Sequence, residues 1–180
     1  MIPNKLTRMI TSAMLLALAL VLPFLTGQIP QIGKALCPMH FPVLLCGFFC
    51  GPFYGALVGA AAPLLRFLLF GMPVLMPTGL AMCFELAVYG LVSGLLYGLL
   101  PKKPVSVYLS LVAAMLAGRL VWGAVMALLC VSGAAGFGWE AFLSGAVLTA
   151  VPGILIQIIL IPVLVMAVER FFRFSPHSSR

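Results

Sequence analysis

Three ionisable side chains lie inside apolar stretches of this sequence that are otherwise almost free of charge. They are Arg66, Glu85 and Arg119. A charged side chain at the centre of a membrane helix costs at least about 2.5–3.5 kcal/mol on insertion scales, so such residues commonly bind a solute or an ion. Each of the three is therefore a candidate functional residue.

Counting residues from the expected helix ends places these groups in the same half of a bilayer. At about 1.5 Å per residue, Arg66 lies roughly 7–8 Å and Glu85 about 10 Å below the outer end of its helix, and Arg119 roughly 18 Å before helix tilt is considered. Tyr89 follows Glu85 by four residues, which places the ring on the same helix face. Trp122 follows Arg119 by three residues, with the same consequence.

His40 opens the second expected helix at the outer surface, so a pocket that faces outward is the simplest arrangement. The loop 28–37 would roof it. Its expected substrate-binding residues are His40, Arg66, Glu85, Tyr89, Arg119 and Trp122. One carboxylate and two guanidinium groups give a net charge that favours an anionic ligand or one with a carboxylate. In the alternative interpretation, Glu85 only neutralises one arginine and the second arginine is left over.

The elements that position these residues are membrane helices. The 180 residues are 64% hydrophobic and 7% charged, against roughly a quarter charged residues in soluble domains. A span needs about 20 apolar residues, and cutting the chain at glycine, proline and charge clusters gives six. We expect a single all-α domain over 1–180, a six-transmembrane-helix bundle with spans near 9–27, 38–51, 53–71, 78–100, 106–131 and 141–170. Gly51 and Pro52 separate the second span from the third, so these two form either a tight hairpin or one broken helix.

Basic residues indicate the orientation, because lysine and arginine concentrate in short cytoplasmic loops. In a six-span arrangement, most of them fall on one side: Lys5, Arg8, Lys102, Lys103, Arg170, Arg173 and Arg180. Both termini are therefore expected in the cytoplasm, with external loops near 28–37, 72–77 and 132–140. The positive charge reflects topology and does not indicate nucleic-acid binding.

Motifs of common enzymes and pumps are missing. The sequence contains no G-x-x-x-x-G-K-[ST], no H-E-x-x-H and no G-x-S-x-G, so we expect no catalytic residues and no cofactor. The five cysteines have no metal-site spacing and no metal site is expected. Cys37 and His40 could nevertheless contact the metal of a haem or corrinoid ligand. The alternative is a loop turn in which His40 donates or accepts hydrogen bonds.

Several stretches resemble the substrate-binding S component of energy-coupling factor (ECF) transporters. They read PMHFPVLLCG at 38–47, GPFYGA at 51–56, PLLR at 63–66 and FELAVYGLVSG at 84–94. The resemblance covers nearly the whole chain. It implies a multi-pass protein of the bacterial cell membrane that captures a vitamin or related micronutrient from outside. It also implies partners, namely a transmembrane scaffold protein and two cytoplasmic ATPases that supply ATP hydrolysis.

The same family docks its scaffold on an A-x-x-x-A pattern in the first helix, which Ala13 and Ala17 match. The substrate stays open between a nucleobase-like heterocycle, a pantothenate-like acid and a haem-like or corrinoid-like ligand. Two other classes remain as alternatives, a passive small-solute facilitator and an intramembrane enzyme. The first would take up solute without ATPases, and the second would show turnover as a purified protein.

Overall fold

The described part of the chain is helical. The computed structural model describes residues 4–25, 37–131 and 151–174, and these ranges contain six α-helices and no strand. In chain order they are α1 (Lys5–Leu25), α2 (His40–Cys50), α3 (Pro52–Phe70), α4 (Leu80–Leu99), α5 (Pro104–Val131) and α6 (Val151–Phe174). A short turn, Leu75–Gly79, in which Met76 has a non-helical backbone, leads into α4.

Every helix except α2 is long and apolar enough to cross a bilayer. This confirms the prediction of an all-helical, multi-pass membrane protein. The expected spans 9–27, 78–100 and 106–131 agree with α1, α4 and α5 to within four residues. The loops expected at 28–37 and 132–140, and the start of the sixth span, fall largely or wholly outside the described residues. Since α2 has 11 residues and rises only about 16 Å, six complete crossings stay a prediction.

The two helices α2 and α3 form a tight hairpin, one of the two arrangements that the sequence left open. Gly51 joins them with φ 97°, a left-handed conformation that glycine adopts at little cost. Pro52 then starts α3 at the first helical position, where its missing N–H is not needed. A Cβ built on Gly55 would lie 2.8 Å from the Cα of Gly47, so the backbones of the hairpin touch.

The hairpin packs against α4 through glycine. A Cβ built on Gly55 would also lie 2.5 Å from the carbonyl oxygen of Gly90, and one on Gly94 would lie 2.6 Å from the nitrogen of Pro52. In a bilayer, lipid tails are as apolar as leucine, so helices associate through close backbone packing of this kind. The glycines thus hold α3 and α4 at a fixed spacing.

One end of the bundle is rich in basic residues, and we call it the basic end. These residues are Arg8, Lys102, Lys103 and Arg170. Here Tyr97 of α4 donates a hydrogen bond to Oε1 of Glu169 on α6, and its ring packs at 5.0 Å against Phe48 of α2. Lys102 donates to the carbonyl oxygen of Tyr97 at 2.8 Å, and its Nζ lies 3.4 Å from the centroid of the Tyr97 ring. The pKa of Lys102 is lowered from its ordinary value, chiefly by burial, and nearby Glu169 offsets only part of this shift. These contacts place the C-terminal ends of α2, α4 and α6 together.

The glycine contact predicts that Gly90→Ala destabilises the bundle. Its new methyl group would overlap the backbone of Gly55, and overpacking of this kind costs about 1–3 kcal/mol. Gly98→Ala on the exposed face of the same helix is the matched control. We expect a lower unfolding temperature for Gly90→Ala alone, measured by thermal unfolding in detergent. Equal temperatures for the two variants would contradict the glycine packing.

Candidate functional site

Glu85 lies on the buried face of α4. It is 1% exposed, and the buried residues Tyr89, Ser93 and Tyr97 follow it at intervals of four. This spacing aligns side chains on one helix face, so α4 presents a polar row to the interior of the bundle. Glu85 lies in the half of the bundle opposite the basic end.

Arg119 of α5 is the ionic partner of Glu85. Its Nη1 lies 3.1 Å from Glu85 Oε1. The short turn between Leu99 and Pro104 makes α4 and α5 antiparallel neighbours, which brings these two residues to the same depth. Gly118 contributes by having no side chain, because the ring of Tyr89 occupies the space where its Cβ would lie.

The hairpin helix α2 adds His40 to this pair. His40 is 3% exposed, and its Nε2 lies 3.6 Å from Glu85 Oε1. Its ring meets the ring of Tyr89 edge to face at a centroid distance of 5.1 Å. Just before α2, Cys37 places its sulfur 3.8 Å from Nη2 of Arg119. We call Cys37, His40, Glu85, Tyr89 and Arg119 the polar cluster.

Several atoms of the polar cluster are buried without a hydrogen-bond partner among the described residues. They are both ring nitrogens of His40, Glu85 Oε1 and Arg119 Nε. The 3.1 Å contact from Arg119 is thus an ion pair without the alignment of a hydrogen bond. Buried polar atoms almost always have a protein or water partner, and exceptions require an explanation. Room for hydrogen bonds from a water or a bound solute is one such explanation.

The charge of the cluster differs from the expected net positive charge. Glu85 and Arg119 cancel, so with a neutral imidazole the cluster carries no net charge. The second arginine of the expected pocket, Arg66, makes no ion pair with Glu85 within 4.0 Å. The structure thus pairs only one of the two arginines with Glu85, and the preference for an anionic ligand stays a prediction.

Arg66 contacts α1 instead. It is 4% exposed, and its Nη1 donates a hydrogen bond to the carbonyl oxygen of Leu20 at 2.7 Å. Its guanidinium group lies 5.2 Å from the ring centroid of Phe24 and 5.5 Å from that of Phe70. The contact falls near the C-terminal end of α1, where a cation is favourable. Arg66 thus ties α3 to α1.

The remaining predicted residues lie on α5 and α1. Trp122 is partly buried on α5, one turn beyond Arg119. Ala13 and Ala17 are exposed on α1 and share one face of that helix. Over the described ranges, no three His, Cys, Asp or Glu side chains lie close enough to hold a metal ion. Cys37 and His40 therefore have no complete coordination set there.

Two further residues escaped the sequence reasoning. Gly118 contributes only by lacking a side chain, which no motif reveals. Gln157 is 2% exposed on α6 and its Oε1 also has no hydrogen-bond partner within the described part of the chain. A signal for Gln157 did exist: it is the one strongly polar residue between Val151 and Glu169.

Comparison with known families identifies the chain. Residues 7–165 match the family model described as "ECF transporter, substrate-specific component". Because this match covers most of the sequence, the chain belongs to that family. No curated protein and no solved structure matches the chain.

The ion pair generates a prediction about the stability of the bundle. Glu85→Leu leaves Arg119 buried without its counter-ion, which typically costs about 3–5 kcal/mol. The double variant Glu85→Leu with Arg119→Met removes both charges and should recover most of the lost stability, since apolar replacement of a buried pair is often neutral. Thermal unfolding of the single and double variants measures this. A double variant no more stable than Glu85→Leu would show that the pair is not the dominant interaction.

Proposed function

We propose that this chain captures a vitamin-like micronutrient from outside a bacterial cell and delivers it inward as the specificity subunit of an ATP-driven ECF importer. The observation that carries the proposal is the polar cluster, a set of buried, incompletely hydrogen-bonded groups at one depth in a member of this family. Such groups are held at a cost in an apolar bundle, and binding a solute would use their free hydrogen-bonding capacity.

The position of the cluster supports capture from outside. The basic end carries Arg8, Lys102, Lys103 and Arg170. The polar cluster lies in the other half of the bundle. Short loops rich in lysine and arginine face the cytoplasm in most multi-pass proteins. On that rule the cluster lies in the outer half of the bilayer and both termini are cytoplasmic.

The neutral charge of the cluster narrows the solute class. A carboxylate and a guanidinium group that already cancel offer hydrogen bonds without attracting a net charge. Tyr89 and His40 add two ring surfaces in edge-to-face contact, which suit a flat molecule. We therefore propose an uncharged, cofactor-sized heterocycle and place it ahead of a pantothenate-like acid.

Energy for uptake would come from partners. The sequence has no P-loop, so nucleotide hydrolysis would come from two cytoplasmic ATPases through a transmembrane scaffold. Ala13 and Ala17 support α1 as the scaffold-docking helix, since small exposed residues at this spacing allow a second helix to approach closely. The exposed face of α1 that carries Ala13 and Ala17 would then meet protein in the complex.

Binding can be measured directly. Purified protein would be mixed with equimolar thiamine, riboflavin, biotin, folate, pantothenate and guanine, and weighed by native mass spectrometry. We expect a one-to-one complex with one member of the mixture, or a co-purified solute that the mixture does not displace. The double variant Glu85→Leu with Arg119→Met should lose that complex although its unfolding temperature stays close to that of the unmodified protein. Binding retained by a well-folded double variant would remove the cluster from the function.

Docking makes a second prediction. Ala13→Leu with Ala17→Leu should prevent co-purification of the scaffold and ATPases and leave solute binding intact, because two bulky side chains would separate the helices. Ala124→Leu with Ala127→Leu, on the exposed face of α5, is the control of equal volume change. Normal assembly of the Ala13 and Ala17 variant would exclude this docking face.

A further inference from the structure

We propose that Gln157 of α6 is a solute-contacting residue that completes the polar cluster from the side opposite Glu85. This inference rests on the proposed function and adds a specific hydrogen-bond acceptor to it. It starts from the burial of the side chain, since Gln157 is 2% exposed and its Oε1 has no partner in the part of the chain that the structure describes. A buried amide group that lacks a hydrogen bond is unfavourable in proteins, so a partner is expected.

The face of α6 that carries Gln157 points into the bundle. Ile161 and Val165 follow it at intervals of four and are both fully buried. Ile154 and Ile158 pack against the same core. The helix contacts α2 and α5, which carry His40 and Arg119. The buried face of α6 that carries Gln157 therefore belongs to a helix that packs against two of the three helices supplying the cluster.

The contact at the basic end sets the depth of Gln157. Tyr97 and Glu169 are hydrogen-bonded, and α4 and α6 both reach this contact from the opposite end, so they run parallel. Glu85 precedes Tyr97 by twelve residues, and Gln157 precedes Glu169 by the same number. At the helical rise of about 1.5 Å per residue, both lie roughly 18 Å from the contact. Gln157 and Glu85 therefore lie at one depth.

Another buried group allows a comparison. Ser110 of α5 is fully buried and its Oγ also has no partner within the described ranges. It precedes Arg119 by nine residues, which places it roughly 13 Å closer to the basic end. The helical register thus assigns Gln157 to the polar cluster and Ser110 to a different level.

The chemistry of Gln157 suits selection by hydrogen bonding. Gln157 Oε1 and Glu85 Oε1 give the site two oxygen atoms that accept hydrogen bonds. Arg119 Nε donates, and the ring nitrogens of His40 can donate or accept. Two acceptors on separate helices would accept hydrogen bonds from N–H groups at two edges of a flat solute. An amide adds no charge, so this residue favours a lactam-like or ureide-like edge over an anion. A site built for such hydrogen bonds rejects analogues that lack them.

Thiol labelling tests the placement without knowledge of the solute. Gln157→Cys would be made in a Cys37→Ser protein, reconstituted in lipid nanodiscs and treated with the permanently cationic trimethylammonium-ethyl methanethiosulfonate. A charged reagent of this size reaches only positions that an aqueous solute can reach. Ile161→Cys, one turn along the same buried face, is the matched control, and the Cys37→Ser protein gives the background from the other cysteines. We expect Gln157→Cys to react at least tenfold faster than Ile161→Cys. Equal rates would overturn the proposal even if the protein binds a solute.

Binding of the mixture described above gives the second measurement. For whichever member binds, Gln157→Leu should weaken the complex about tenfold or more, whereas Ser110→Ala should leave it unchanged. Unchanged binding by a folded Gln157→Leu variant would overturn the proposal while the proposed function stands. If no member binds, the labelling result alone decides the placement of Gln157, and the solute class is what fails.

Discussion

The cost of burying charge in an apolar bundle governs the arrangement of this protein. Glu85 and Arg119 come from neighbouring helices and cancel each other at 3.1 Å. Removing either partner would leave the other charge buried without its counter-ion, which is strongly destabilising. Their pairing requires α4 and α5 to stay in one register, and the register in turn depends on the ring of Tyr89 lying over Gly118.

The contacts at the two ends of the bundle differ in how completely their polar groups are hydrogen-bonded. At the basic end, Tyr97, Lys102 and Glu169 join α4 and α6 through hydrogen bonds and a cation–π contact. Towards the other end, the polar cluster leaves donors and acceptors uncommitted within the described ranges. The contacts at the basic end pair their polar groups, whereas the polar cluster retains hydrogen-bonding capacity, as the proposed solute site would require.

Arg66 is a buried charge in an apolar helix that is held by contacts other than an ion pair. Its guanidinium group is satisfied by the carbonyl oxygen of Leu20 and two aromatic rings, without a carboxylate partner within 4.0 Å among the described residues. Such contacts stabilise the packing of α1 on α3. Since α1 also exposes Ala13 and Ala17, Arg66 holds the helix that we propose to meet the scaffold.

The sequence by itself determined the class of the protein, the approximate bounds of α1, α4 and α5, and the candidates Glu85 and Arg119. These follow from hydropathy and from the rarity of charge in apolar segments, both of which are local properties. It could not distinguish Arg66 from Arg119, since both are arginines in the same half of a bilayer. Only the tertiary structure decided that one reaches a carboxylate and the other a backbone carbonyl, because rotation of each helix about its axis depends on packing against its neighbours. For the same reason the sequence did not reveal the positions of Gln157 and Gly118, which depend on the face that each helix turns towards its neighbours.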